Sequence, residues 1–286
     1  GSSARKLKRG GANLLAGRAA TLRMFPLTAA ELGAAFRVDR TLQFGHLPMA
    51  VTATDPRAFL RDYLHTYLKE EIQNEGLTRN VSSFARFLET ISLSNGQQLN
   101  ISAVARNAHV ERKTTEEYVT ILEDLMLGTR LPVFTKKAKQ KTVAHPKFYF
   151  FDVGVFRVIR PTGPLDNASE IDGASLETVF LQEATAYNSY DRLEYTFYYW
   201  RTPSGEEVDF VLYGQHGLLA FEIKRTAQLR EADFAGLRAF RADYPMAQCF
   251  MLYGGQRTYT EGGIAVIPFG EALVKLRRLL ANRTSP

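Results

Sequence analysis

Two short runs in the C-terminal half of this 286-residue chain carry the residue types best suited to chemistry. Val208-Asp209-Phe210-Val211-Leu212-Tyr213 and Leu218-Leu219-Ala220-Phe221-Glu222-Ile223-Lys224 flank Gly214-Gln215-His216-Gly217, which is the pattern of a β-hairpin. With those four residues as the loop, Tyr213 pairs with Leu218, Asp209 falls opposite Glu222, and Glu207 falls opposite Lys224. Side chains alternate along a strand, so these four charges share one face. Val208, Phe210 and Leu212 then meet Leu219, Phe221 and Ile223 on an apolar face. A slip of one residue would drive charge into that face, so the register is specified. Opposed Cβ atoms lie about 5 Å apart, a spacing at which two carboxylates suit one Mg²⁺, an ion that prefers oxygen ligands and retains waters. Such an ion activates water, polarises a phosphoryl oxygen and stabilises a leaving group. Lys224 would position the water or offset charge at phosphorus, and Glu207 would pair with Lys224. The competing reading is a charged solvent face of an amphipathic hairpin.

The surrounding elements are read from period and caps. Met24 to Leu27 reads as a short strand, and Thr28 as the N-cap of a helix with Glu31 in its first turn. This opening segment has too few apolar residues for a core of its own, which implies packing on something outside the chain. Helices follow from Asp55-Pro56 to about Asn74, Ser82 to Ser92, Ile101 to Asn107, and Thr114 to Leu127. The last carries Tyr118, Ile121, Leu122 and Leu125 at core-facing spacing. Pro132 to Phe134 and Lys147 to Phe151 read as strands joined by a lysine-rich stretch, which is the order of a winged helix-turn-helix. A linker from Pro161 to Asp172 precedes a helix from Gly173 to Tyr190 with Leu176, Val179, Phe180 and Ala184 on one side. Strands at Tyr195–Trp200, Val208–Tyr213, Leu218–Lys224, Gln248–Tyr253 and Ile264–Phe269 are interleaved with helices at Glu231–Ala242 and Glu271–Leu280. The fold class is mixed α/β, divided as 1–54, 55–160 and 161–286.

Composition limits the function classes. Hydrophobic residues make up 45% of the chain, enough for buried cores. No apolar run approaches the ~18 residues of a membrane-spanning helix, and no signal-peptide core is visible, so no membrane partner is expected. A single cysteine, Cys249, excludes an internal disulfide or a cysteine-based zinc site, and reads as a small buried thiol in a reducing, cytoplasmic setting. The net charge of +6 is all present in residues 1–26, where Arg5, Lys6, Lys8, Arg9, Arg18 and Arg23 face no acid. A second basic cluster, Arg130, Lys136, Lys137, Lys139, Lys141 and Lys147, lies in an acid-free stretch from Leu125 to Phe151. Such patches are what would meet phosphates. His46, His65, His109, His145 and His216 show no metal-ligand spacing.

The stretch from Tyr199 to Val211, followed by Phe221-Glu222-Ile223-Lys224, resembles the C-terminal domain of a large prokaryotic family of AAA-superfamily ATPases. That domain is of the restriction-endonuclease-like, PD-(D/E)XK type. The resemblance implies catalytic roles for Asp209, Glu222 and Lys224, metal binding by Asp209 and Glu222, and a supporting acid at Glu177. Gly1 to Leu7, Leu15 to Arg18 and Phe25-Pro26-Leu27 are similar to the end of the ATPase module. There Ser2 or Ser3 would sense nucleotide, and Arg18 is a candidate charge near it, with a solvated helix-start arginine as the alternative. No G-x-x-x-x-G-K-[ST] occurs, so the chain alone is not expected to bind ATP; ATP and an upstream ATPase module would belong to a longer protein.

In the winged region, Thr114 to Leu127 would be the recognition helix, with Arg112, Lys113, Lys136, Lys137, Lys139 and Lys141 contacting nucleic acid. Glu111, Glu116 and Glu117 oppose that reading, and a protein-docking role stands beside it. Three functions remain open: a Mg²⁺-dependent nuclease acting on nucleic acid, a catalytically silent module that binds a protein partner or a second copy, and a transcription factor.

Overall fold

The computed structural model describes residues 22–74, 80–135, 145–164 and 166–281, with only the backbone for 67–74. Ser2, Ser3, Arg18, Lys136, Lys137, Lys139 and Lys141 lie outside the described residues. In chain order the α-helices are α1 (Ala29–Leu32), α2 (Val38–Phe44), α3 (Pro48–Thr52), α4 (Pro56–Asn74), α5 (Val81–Ser92), α6 (Ile101–Ala108), α7 (Arg112–Asp124), α8 (Val153–Ile159), α9 (Ala168–Tyr190), α10 (Ala235–Asp243) and α11 (Phe269–Leu280). The strands are β1 (Gly128–Leu131), β2 (Lys147–Phe150), β3 (Thr196–Arg201), β4 (Glu207–Gly214), β5 (Gly217–Lys224), β6 (Gln248–Tyr253), β7 (Tyr259–Glu261) and β8 (Ile264–Pro268). The fold is mixed α/β. Among the described residues no helix is long and apolar enough to cross a membrane.

The chain divides into two units. The first comprises Gly1–Pro26, Gln43–Arg130 and Lys147–Asp166. Asn80 and Asn100 cap α5 and α6 by accepting the N–H of Ser83 and Ala103, the arrangement that satisfies otherwise orphaned first-turn donors. His109 takes the left-handed conformation that ends α6. Phe84, Phe87 and Tyr118 form a ring cluster between α5 and α7 with centroids 4.9–5.6 Å apart, and Tyr118, Ile121, Leu122 and Leu125 are all buried, as their spacing requires. β1 and β2 form a two-stranded sheet.

Its first strand differs from the expectation of Pro132–Phe134. Proline lacks the N–H that a ladder needs, so the strand ends at Leu131, and Val133 within the expected stretch makes an isolated parallel bridge to Tyr199 instead. Helix α8 also differs, because Val153 to Phe156 is buried throughout and has no polar face to reveal a helical period. Its N-cap, Asp152, is fully buried and accepts the N–H of Val155 at 3.1 Å and of His46 at 2.9 Å. Burial drives its carboxyl above the usual range, against the backbone donors that favour the charge.

The second unit comprises Leu27–Leu42, Leu131–Pro146 and Asn167–Pro286. Its six-stranded sheet runs β3-β4-β5-β6-β8-β7. Neighbours are antiparallel from β3 to β5 and parallel across β5, β6 and β8, and β7 is antiparallel to β8. Successive residues of β5 face opposite layers. Ala220 joins Val211, Met251 and Val266 beneath Leu237 and Phe240 of α10. Phe221 turns the other way, onto Phe180 of α9 at 4.8 Å and Phe250 at 4.8 Å.

The described part of the opening segment finds packing within the chain at Thr28 to Glu31. Thr28 and Glu31 form the expected capping box, and the Ala29 N–H reaches the buried Glu183 carboxylate of α9 at 2.6 Å. That correction was hidden in the sequence because the anchor is one polar contact 154 residues away.

Candidate functional site

The hairpin forms in the expected register. Gly214 pairs with Gly217, Tyr213 with Leu218, and so on to Phe210 with Phe221. Gly214 and Gly217 themselves belong to the ladder, so only Gln215 and His216 make the turn, and Gly217 takes φ 122°, which favours glycine.

One step beyond Phe210 and Phe221 the ladder changes character. β3 pairs Tyr198 with Val211 but Trp200 with Val208, so Asp209 and Phe210 together oppose Tyr199. This is a β-bulge, which bends its strand and re-aims side chains. The Tyr199 backbone is bonded instead to Pro132 O at 3.0 Å and to the Phe134 N–H at 2.7 Å.

The bulge corrects the two-faced picture. Val208 and Val211 both enter the layer beneath α10, whereas Phe210 meets Phe180 of α9 at 4.9 Å. Both faces of the hairpin are therefore covered. Asp209 and Glu222 are buried, with 8% and 6% of their surface exposed, which argues against a solvated charged face.

At the bulge the two carboxylates replace backbone partners. The Asp209 N–H donates to Glu222 Oε2 at 3.2 Å, and the Ile223 N–H donates to Asp209 Oδ2 at 2.9 Å. Lys224 Nζ closes on Glu222 Oε1 at 2.6 Å. Burial works against the lysine's charge, but Glu222 and Asp209, with Asp233 beyond them, outweigh it and hold its pKa above the ordinary lysine value. A cation and two carboxylates thus share one half-closed corner of the sheet.

The close approach of α10 fixes that corner's rim. A Cβ on Gly236 would lie 1.9 Å from the Glu207 carbonyl oxygen, so only glycine allows the helix to sit there. Neither Gly236 nor Asp233 was singled out from the sequence, because each acts through tertiary packing. Glu207 is corrected as well. It pairs with Arg201 of β3 at 3.2 Å, its neighbour in the ladder, and Lys224 is engaged by Glu222.

The structure brings Asp209, Glu222 and Lys224 together. Glu177 stands half-buried on α9, one turn before Phe180. Among the described residues no group of three or more His, Cys, Asp or Glu side chains is arranged to hold a metal, so the two carboxylates are the candidate set. Their hard oxygen donors fit Mg²⁺, which keeps most of its shell as water. The Lys224 ammonium on Glu222 Oε1 would have to move aside for direct coordination.

Four of the basic residues are described. Arg112 is paired with Glu116 at 3.4 Å and Lys113 is exposed. Arg130 gives its Nε to Glu123 at 2.9 Å, and Lys147 is 4% exposed.

Two family models match the chain in tandem, each described as a domain of unknown function: DUF8612 over residues 36–166 and DUF4143 over residues 172–272. The chain is 25% identical over 253 residues to an uncharacterized protein of Mycobacterium bovis, and equally to one of Mycobacterium tuberculosis. Each alignment covers 86% of this chain and 55% of the relative, so the chain spans about half the length of the curated relatives it matches. No solved structure matches.

Proposed function

We propose that the second unit is a PD-(D/E)XK-type nuclease domain. It would cleave phosphodiester bonds with Mg²⁺, as part of the C-terminal region of a AAA-type ATPase. The observation that carries this reading is the burial of Asp209 and Glu222 side by side at a β-bulge, with Lys224 in contact. Carboxylates are costly to bury, and a bulge beside a functional group is a recurrent means of aiming it. The likeness of the Tyr199–Lys224 stretch to the C-terminal domain of such ATPases supports the same assignment. Asp209 and Glu222 would hold the ion, which would supply an activated water and charge stabilisation. Lys224, cationic throughout the neutral range, would face the phosphoryl oxygens, and Glu177 would support from α9. In the first unit, α5–α7 with β1 and β2 supports a winged helix that docks DNA or protein, with Arg112 and Lys113 at its front.

The test is incubation of the chain with single- and double-stranded DNA and RNA in Mg²⁺ or Mn²⁺. Cleavage is expected in the wild type and is lost in Asp209→Asn and Lys224→Ala with folding retained. No cleavage of any of these forms would reject the assignment.

A second reading, a silent nuclease-like module that binds a partner or regulates the ATPase, is favoured by one observation. Both carboxylates already serve backbone N–H groups, and the lysine is closed onto Glu222. Absence of cleavage together with specific capture of the upstream ATPase module would favour it.

A further inference from the structure

The first unit contains a second place where unlike parts of the chain converge, and it is lined by arginines. A cavity of about 260 Å³ lies among Arg57 and Arg61 of α4, Arg157 and Arg160 at the end of α8, and Gln43 and Thr162. The helices are held by apolar packing of Leu60 and Leu64 with Val155. Gly154 lets the end of α2 reach α8, because a Cβ there would lie 2.2 Å from the Phe44 carbonyl oxygen. The arginines are therefore presented by a fixed framework.

Their placement has no local electrostatic account. Arg57 and Arg61 are i,i+4 neighbours, so two like charges are stacked on one helical face. They also sit in the first two turns of α4, where the helix dipole disfavours cations. Neither has an acid three or four residues away in the helix, and neither forms an ion pair among the described residues. Arg157 and Arg160 gain from the C-terminal end of α8, yet they add two more charges to the same cavity. Asp166 lies 3.4 Å from Arg160 Nη2, and its other oxygen accepts the Gly163 N–H at 2.6 Å. The Arg160 side chain is 14% exposed, and its Nε is buried without an acceptor among the described residues.

We propose that this cavity binds a compact phosphoryl polyanion of the diphosphate class. Guanidinium forks match phosphate oxygens in bidentate pairs, and several of them answer more than one negative charge. The volume lies below the roughly 300 Å³ at which whole drug-sized ligands are accommodated, so the pocket takes the diphosphate rather than a complete nucleotide. The diphosphate is either free or the tail of a nucleoside diphosphate whose remainder stays outside. This assignment does not depend on the nuclease reading, because its residues are all in the first unit.

Isothermal titration of the full chain with pyrophosphate, and separately with ADP, at low ionic strength tests it. Binding of pyrophosphate is expected, weakened roughly tenfold or more in the Arg57→Gln/Arg61→Gln double variant. Those two side chains are exposed, so folding is not at risk. Arg157→Gln should weaken it similarly. ADP binding with the same arginine dependence identifies a nucleotide tail as the source, and pyrophosphate binding alone identifies the free anion. Absence of binding by both probes, or binding indifferent to all three arginines, overturns the proposal.

Discussion

The Asp209 N–H donates to Glu222 Oε2 at 3.2 Å, and the Asp209 carboxylate accepts the N–H of Ile223, the residue after Glu222, at 2.9 Å. Each acid thus stands in for a missing ladder partner of the opposite strand. The same side chains that carry the proposed chemistry also close the backbone, so structural and chemical roles have to be separated by the choice of substitution.

Asp209→Asn and Asp209→Ala separate them. Asparagine keeps an oxygen for the Ile223 N–H, removes one of two neighbouring charges, and should leave stability within about 1 kcal/mol. Alanine strands that buried N–H and should cost about 1–3 kcal/mol. Both should abolish cleavage. Urea denaturation read beside the nuclease assay checks this; equal destabilisation by the two would remove the carboxylate from its backbone role.

Lys224→Met tests the ion pair. Glu222 is almost wholly buried, and removal of its cation leaves that charge uncompensated, which in a deep interior costs about 3–5 kcal/mol. Lys224 itself is 33% exposed, so water screens part of the loss and about 1–3 kcal/mol is expected. The lysine's pKa is raised, so its contribution is complete below the ordinary lysine value and is lost only as pH rises through the raised one. The wild-type pair should therefore give no slope in stability between neutral pH and about 9 from this group. Denaturant midpoints across that range measure it.

Much of this site was legible in the sequence. Alternating apolar and charged residues either side of Gly214 and Gly217 permitted one register, and it is the observed one. The bulge was not legible, because its cause lies elsewhere: Tyr199 gives its backbone to Pro132 and Phe134 rather than to β4. The first turn of helix α8, Val153 to Phe156, is apolar and buried throughout, so no alternation of polar residues marked the change from β2. The arginine cavity was invisible for a similar reason, since two helices far apart in the chain supply its charges.

Cys249 bears on the reading of a buried, unreactive thiol. Burial pushes its pKa up to about 11, so it stays neutral in the physiological range. A raised folded-state value contributes stability below the unfolded thiol pKa of about 8.5, and that contribution declines as pH rises above it. Iodoacetamide at pH 8 should alkylate the native chain far more slowly than the urea-unfolded chain. Comparable rates would place the thiol at the surface.

Gly236 supplies the sharpest test that α10 forms one wall of the candidate site. A methyl group there meets the Glu207 carbonyl oxygen at 1.9 Å, a backbone atom that cannot swing aside as a flexible side chain would. Helix propensity favours alanine over glycine by about 1 kcal/mol, so a merely solvent-facing helix would be stabilised by Gly236→Ala. The clash predicts the opposite sign, a loss of about 1–3 kcal/mol as the helix shifts off β4. The shift would also move Asp233 relative to Lys224, whose charge it helps to hold. Gly236→Ala should therefore reduce cleavage without touching Asp209, Glu222 or Lys224. A more stable variant with unchanged activity would show that the helix does not shape the site.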